Sequence, residues 1–140
     1  MLSEKRQDDP MEEKIIAANL PTPLALAYLG DARHSLFVRR MLMERGIAKP
    51  ADLNREALSY ITAASQARMD ERIEPHLTET ERDTFRRASN STHLNKPKSA
   101  SGKDYRTATG FEAVLGLLEW LGENERLEAL LKIAHEGEEK

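Results

Sequence analysis

The chain has 140 residues, of which 32% are charged, and it contains no cysteine. This length fits one domain with a single buried core and leaves little room for a second folded module. Without cysteine, disulfides, a thiolate zinc site and a cysteine nucleophile are all excluded. Any metal site must therefore use oxygen or imidazole ligands.

The N-terminal region shows no basic segment followed by an apolar core, which is the pattern of a secretion signal. The least polar stretch, residues 15–32, is interrupted by Asn19, Pro21, Pro23 and Asp31, so it is not typical of a transmembrane helix. We therefore expect a cytoplasmic protein that makes no membrane contact.

The formal net charge is −3, but the charge is unevenly distributed. Residues 86–106 contain six cations and one anion, a balance of +5, so the remaining residues together carry −8. Phosphate binding draws much of its affinity from Lys and Arg, and a basic segment of this kind suits a polyanionic partner. The six cations are Arg86, Arg87, Lys96, Lys98, Lys103 and Arg106.

Three regions are expected along the chain. Residues 1–19 are predicted to be a loosely ordered arm and lead-in, because residues 1–13 are mostly polar and cannot bury enough apolar surface to offset their ordering entropy. Residues 20–136 are predicted to form the folded domain. Residues 137–140 form a charged tail.

Apolar residues recur at helical spacing from Leu24 onward, and Gly46 supplies a stop signal. A second helix is expected after Pro50, running through Ala57 to Ala67, with Asp52 or Asn54 available as its cap.

Thr78 and Glu81 fit a capping box that opens a third helix, expected to reach about Ala88. Residues 89–103 read as a polar loop, and further helices are expected from about Tyr105 and after Gly122. No segment alternates as a strand would, so the predicted fold class is all-α.

Two carboxylates stand alone in apolar surroundings. Asp31 is the only charged side chain in residues 15–32, and Glu112 is the only one in residues 107–118. A glycine precedes each closely, Gly30 and Gly110, where a mid-helix glycine costs about 1 kcal/mol unless a close approach requires it.

Each isolated carboxylate needs compensation if it is buried. In one interpretation, Asp31 pairs with Arg33 or Arg39, and Glu112 pairs with Arg106 or Lys103. In the other, both bind a divalent cation such as Mg²⁺, which takes one or two protein carboxylates and completes its octahedron with water and substrate phosphate. The second interpretation requires the two helices to face each other.

Several stretches, in order and at matching spacing, resemble the Mini-ribonuclease III branch of the ribonuclease III class. LALAYLGDA (24–32) is similar to the signature helix of that class, and TGFEAVLGLL (109–118) is similar to its second conserved helix. The resemblance spans roughly residues 20–132. The further matching stretches are KPADL (49–53), ITAASQA (61–67), RRASN (86–90), PKSAS (97–101) and YRTATGFEA (105–113).

The resemblance implies a dimeric, all-helical ribonuclease III-type endonuclease domain that cuts double-stranded RNA, with Mg²⁺ as cofactor and Mn²⁺ able to substitute. The implied substrate is a ribosomal RNA precursor, which a ribosomal protein can hold when it is cut. By position, Asp31 and Glu112 match the catalytic metal-binding carboxylates. The matching or neighbouring RNA contacts are Lys98 and Arg106 first, then Arg87 and Asn90, then Arg86, Lys96 and Lys103.

The chain departs from the family pattern at several places. Ala27 and Thr109 occupy positions that are acidic in larger ribonucleases III, although the Mini branch is similar to this chain there. After the signature GDA, residues 33–35 read Arg-His-Ser where an apolar, aromatic and acidic trio is usual, and residues 88–89 alter an RGRN-like motif. We interpret His34 as a surface or hydrogen-bonded residue rather than a metal ligand.

Two other function classes are considered. Glu71 and Glu74 form an E-x-x-E pair like the metal motif of all-α nucleotide pyrophosphohydrolases. The loss of the acidic residue at Ser35 suggests a catalytically silent RNA-binding dimer of the same fold. Metal-dependent cleavage would distinguish these classes.

Overall fold

The computed structural model describes residue 14, residues 19–92 and residues 102–138. Within these ranges the chain is helical and contains no strand, so the predicted all-α class is confirmed. Most of the predicted N-terminal arm, Lys96, Lys98 and the last two residues lie outside the described residues. The helices are α1 (Pro23–Glu44), α2 (Pro50–Ile61), α3 (Ala63–Ile73), α4 (Glu79–Asn90), α5 (Gly102–Leu121) and α6 (Asn124–Ala134), with a 3-10 turn at Glu74–His76 between α3 and α4.

Helix α5 is the centre of the fold. From Ala108 to Leu118 every residue except Glu112 is buried, and a helix that is apolar on all sides belongs in an interior. Helices α1, α3 and α4 pack around it. The chain thus surrounds its most apolar helix with amphipathic ones, and Glu112 is the one break in the buried surface of that helix.

Helices α1 and α5 cross with their backbones in contact. A Cβ atom built on Gly30 would lie 1.7 Å from the carbonyl oxygen of Glu112, and one on Gly116 would lie 1.8 Å from the carbonyl oxygen of Leu26. Any side chain at these two positions would push the helices apart. A Cβ on Gly110 would lie 2.4 Å from the ring of Phe85. This glycine therefore makes room for a side chain, whereas Gly30 and Gly116 make room for the backbone of the other helix.

A cap begins α1, and the predicted glycine stop follows its end. The Thr22 hydroxyl accepts a hydrogen bond from the Ala25 amide at 3.2 Å and caps the N-terminus. Beyond the C-terminus, Gly46 adopts a φ of 96°, a left-handed conformation that glycine adopts without steric cost.

The single helix expected through Ala67 is instead two helices, α2 and α3. Thr62 separates them with extended backbone (φ −71°, ψ 159°), and its hydroxyl accepts a hydrogen bond from the Ser65 amide at 3.3 Å. Because a threonine hydroxyl can bond nearby backbone amides in place of the helical hydrogen bonds, Thr62 ends α2 and caps the N-terminus of α3. At α4, the predicted capping box of Thr78 and Glu81 is confirmed.

No helix among the described residues combines the length and apolar character needed to cross a membrane.

Candidate active site

Asp31 and Glu112 meet where α1 crosses α5. Their side chains hydrogen-bond to each other, with Asp31 exposed and Glu112 partly buried. Both open into a cleft of about 280 Å³. The close crossing at Gly30 is what allows this, because Glu112 lies against Gly30 through its backbone. The other residues that line the cleft are Leu24, Ala27, Tyr28, Thr92, Tyr105 and Thr109.

Glu112 resists ionisation in this cleft. Burial raises the pKa of Glu112 to about 8, with further contributions from the charge of Asp31 and from the hydrogen bond between the two. A hydrogen bond from Gln66 lowers the pKa of Glu112 in part. At neutral pH the pair therefore retains a proton, which is the behaviour of two carboxylates held together without a cation.

No arginine or lysine of the described ranges forms an ion pair with either carboxylate. Arg33, the predicted partner of Asp31, instead pairs with Glu119 at 3.2 Å and with Glu128 at 2.6 Å. The simple ion-pair interpretation through Arg33 is therefore wrong, because this side chain joins α1 to α5 and α6.

The donor set of the cleft fits a hard divalent cation. It offers carboxylate oxygens from two facing helices and is open on one side, which leaves positions for water and phosphate. The described residues contain no cluster of three or more His, Cys, Asp or Glu side chains placed to hold a metal ion. A cation here would rely on two protein carboxylates.

Ala27 and Thr109, the two positions that are acidic in larger family members, both line this cleft. Neither adds a charge, and the Thr109 hydroxyl donates a hydrogen bond to the carbonyl oxygen of Tyr105 at 2.9 Å. The departures from the acidic pattern thus fall inside the candidate site and leave Asp31 and Glu112 as its two carboxylates.

His34 does not face the cleft. It is fully buried, and its Nε2 lies 2.9 Å from Nε2 of His135, while its Nδ1 lies 3.1 Å from the Gln66 amide nitrogen. The interpretation of a hydrogen-bonded histidine is confirmed, but a surface position is wrong. Sequence reasoning missed both Gln66 and His135. The one available signal was that Gln66 lies within the family-like stretch at 61–67, and no signal pointed to His135.

The predicted RNA contacts that the structure describes are all exposed. Arg86 and Arg87 lie on α4, and both pair with Asp83, Arg87 at 3.0 Å. Asn90 ends α4, two residues before Thr92 of the cleft wall. Lys103 and Arg106 lie in the first turns of α5, on either side of the cleft residue Tyr105.

Glu71 and Glu74, the alternative metal motif, are both exposed, at the end of α3 and in the 3-10 turn. Asp70 beside them is buried, and burial followed by the charges of Glu74 and Glu71 raises its pKa to about 7. These residues do not form a three-ligand metal cluster among the described part of the chain.

Comparison with known proteins defines the class. The family described as the ribonuclease III domain matches residues 24–120, a segment that contains both carboxylates and the whole crossing of α1 with α5. A crystal structure of a protein from Fusobacterium nucleatum superposes with a TM-score of 0.77 at 28% identity, covering 86% of this chain and 97% of that one.

Curated relatives narrow the class further. The Mini-ribonuclease 3 of Symbiobacterium thermophilum is 46% identical over 80% of this chain and 86% of its own length. That of Streptococcus pneumoniae is 41% identical, covering 84% and 93% respectively. The chain therefore belongs to the Mini-ribonuclease 3 branch of the ribonuclease III family and is an endoribonuclease.

Proposed function

We propose that this endoribonuclease cleaves double-stranded RNA with a divalent cation, Mg²⁺ or in its place Mn²⁺, held by Asp31 and Glu112. The observation that supports the proposal is that the two carboxylates hydrogen-bond to each other in one open cleft, with no ion-pair partner in the described ranges. A cation would offset the burial and the mutual repulsion that otherwise make the pair keep a proton.

When bound, Mg²⁺ activates a water molecule and stabilises the charge that develops on the scissile phosphate. The protein itself then needs no histidine base, which agrees with the burial of His34 and His135 away from the cleft. Asp31 is exposed and can change its orientation with the substrate, while Glu112 is held by its surroundings. The chain's own task is to hold both carboxylates together and directed into the cleft, where a bound cation would favour their ionised form.

Double-stranded RNA is recognised mainly through its shape, its phosphates and its 2′-hydroxyls. The exposed cations on α4 and at the start of α5 flank the cleft walls contributed by Thr92 and Tyr105. We propose that they follow the phosphate backbone on either side of the cut. The proposed contacts are Lys98 and Arg106, then Arg87 and Asn90, then Arg86, Lys96 and Lys103.

The same proposal includes a homodimer with one cleft in each protomer. Tyr28 is 83% exposed and Leu24 is 39% exposed, one turn apart on α1 and both beside the cleft. An aromatic ring exposed to this degree at a functional cleft suits a partner surface. A second copy placed here would give the assembly two clefts, which is the number that one cut in each strand of a duplex requires.

The natural substrate that the family resemblance suggests is a ribosomal RNA precursor in the cytoplasm, cut while a ribosomal protein is bound. A duplex stem excised from such a precursor is therefore a suitable test substrate.

The test compares cleavage of duplex RNA, single-stranded RNA and a nucleoside triphosphate by the wild type, Asp31→Asn and Glu112→Gln, with and without Mg²⁺. We expect only the wild type to cut, only the duplex to be cut, and only with the metal, with each variant losing at least about 100-fold in rate because a ligand charge is removed. Glu125→Gln, an exposed change on α6, is the control and should cut normally.

If either carboxamide variant cuts duplex RNA at the wild-type rate, the assignment of the metal site is wrong. A separate binding experiment tests Lys103 and Arg106 together. Neutralising both should weaken RNA binding and reduce its salt dependence, because fewer counterions are released.

A further inference from the structure

We infer that Gln66 is a positioning residue for the Glu112 carboxylate, and that the buried pair of His34 and His135 fixes the direction of the Gln66 amide. This inference rests on the proposed function, since it concerns how one of the two proposed metal ligands is held. Gln66 is not in the cleft wall and reaches the reaction only through Glu112.

Gln66 occupies an unusual place for an amide. It lies on α3 with only 2% of its surface exposed, and a buried amide without partners is costly. Its side chain hydrogen-bonds to the Glu112 carboxyl on one side and to His34 Nδ1, at 3.1 Å, on the other. The amide therefore joins the candidate active site to the interior of the protein.

Counting protons along this chain of contacts gives one consistent arrangement. The Gln66 NH₂ group has two hydrogens, one for an ionised Glu112 and one for His34 Nδ1. His34 then carries its own proton on Nε2 and donates it to His135 Nε2 at 2.9 Å. His135 in turn carries its proton on Nδ1, the buried ring nitrogen for which the described residues supply no hydrogen-bond partner.

The reverse arrangement would turn the Gln66 carbonyl oxygen toward both neighbours. An ionised Glu112 would then face an acceptor, which is repulsive, so this arrangement suits only a protonated Glu112. The two histidine tautomers and the amide direction are consequently fixed together, with the NH₂ group toward Glu112 and His34.

The surroundings keep both imidazoles neutral and in place. Burial, then the charge of His135, lowers the pKa of His34 to about 3, and burial lowers that of His135 to about 4. The ring of His34 meets Phe111 edge to face at 5.3 Å, and Phe37 stacks obliquely on His135 at 4.8 Å. A pair held by aromatic rings in this way can fix the amide without adding charge near the site.

Groups that hydrogen-bond to a metal ligand orient it, and their loss typically reduces metal affinity about 10- to 100-fold. The inference predicts an effect of this size for Gln66→Met, which keeps the length of the side chain but removes both amide donors. Ser65→Ala is the matched control, because Ser65 is equally buried on the same helix but hydrogen-bonds to Thr62 and the Ser59 carbonyl rather than to Glu112.

The experiment measures Mn²⁺ binding to the RNA-free protein by electron paramagnetic resonance for the wild type, Gln66→Met, Ser65→Ala and Glu112→Gln. We expect Glu112→Gln to lose the site, Gln66→Met to weaken it 10- to 100-fold and Ser65→Ala to leave it unchanged. In cleavage assays, Gln66→Met should need more Mg²⁺ but approach the wild-type rate at saturation.

The outcomes separate the two proposals. Loss of the site in Glu112→Gln with wild-type affinity in Gln66→Met would overturn the role of Gln66 and leave the proposed function intact, whereas equal binding by all four proteins would overturn both. Nitrogen-15 spectra of the histidine-labelled wild type, with Mg²⁺ in place of Mn²⁺, report the tautomers of His34 and His135. This measurement does not depend on whether a variant folds. A proton on Nδ1 of His34 in that spectrum would also overturn the inference.

Discussion

Replacing Glu112 with Gln should stabilise the metal-free protein at high pH and leave its stability unchanged at low pH. Burial raises the pKa of this carboxyl from 4.5 to about 8. At pH values below 4.5 the group is protonated in both the folded and the unfolded chain, so its ionisation does not change the free energy of unfolding. Between 4.5 and 8 the folded state keeps the proton that the unfolded chain releases, and the free energy of unfolding falls as the pH rises.

The size of the effect follows from that displacement of the pKa. Ionising a carboxyl with a pKa of about 8 rather than 4.5 disfavours the folded state by at most about 5 kcal/mol. Glu112 is partly exposed and shares its proton with Asp31, so solvent screening and coupling reduce this limit. We expect a gain of about 2 kcal/mol for Glu112→Gln above pH 8.

Urea unfolding at pH 4 and pH 9, in the presence of a chelator and at one protein concentration, measures this gain. The two proteins should agree within about 0.5 kcal/mol at pH 4, with the variant about 2 kcal/mol more stable at pH 9. Glu125→Gln, which changes an exposed carboxylate, should show no such pH dependence. A Glu112→Gln protein that is less stable than the wild type at pH 9 would refute the argument, because the carboxylate would then be stabilising.

Two further changes test the packing that positions the site. Gly30→Ala places a Cβ 1.7 Å from a backbone oxygen, so we expect a loss of at least about 3 kcal/mol in urea unfolding; a wild-type midpoint would show that the helices can separate freely. Arg126→Met leaves the buried Glu81 carboxylate without the partner that contacts it at 2.7 and 3.0 Å. This should cost about 3 kcal/mol, and Arg126→Lys should recover part of it; equal stability of Arg126→Met and the wild type would contradict the assigned pair.

Much of the fold could be predicted because local signals and burial agree along the chain. Thr78 with Glu81 opened a helix as a capping box should, and Gly46 marked the end of α1. Thr62 was harder, since a threonine inside an apolar run is compatible with a continuous helix. Whether its hydroxyl caps a new helix depends on how α2 and α3 pack, which is a tertiary effect.

The candidate site was predictable in part. Isolation in apolar sequence marked Asp31 and Glu112, but the sequence did not show which groups would surround them. Arg33 lies near Asp31 in the chain, yet its position on α1 directs it to Glu119 and Glu128. Gln66 and His135 lie in segments that are distant in sequence from Asp31 and Glu112. No local pattern indicates that a buried amide will hydrogen-bond to a carboxylate.

The glycine crossing and the carboxylate pair are one feature with two consequences. Helices that meet through ordinary side chains are 8–10 Å apart, roughly, and two short acidic side chains would then be separated by other groups. At Gly30 and Gly116 the backbones of α1 and α5 touch, so Asp31 and Glu112 must share one small space and repel each other when ionised. The packing that stabilises the core therefore creates a local instability that a cation can remove, and the metal-free protein is expected to be least stable at the pH where its cation affinity is greatest.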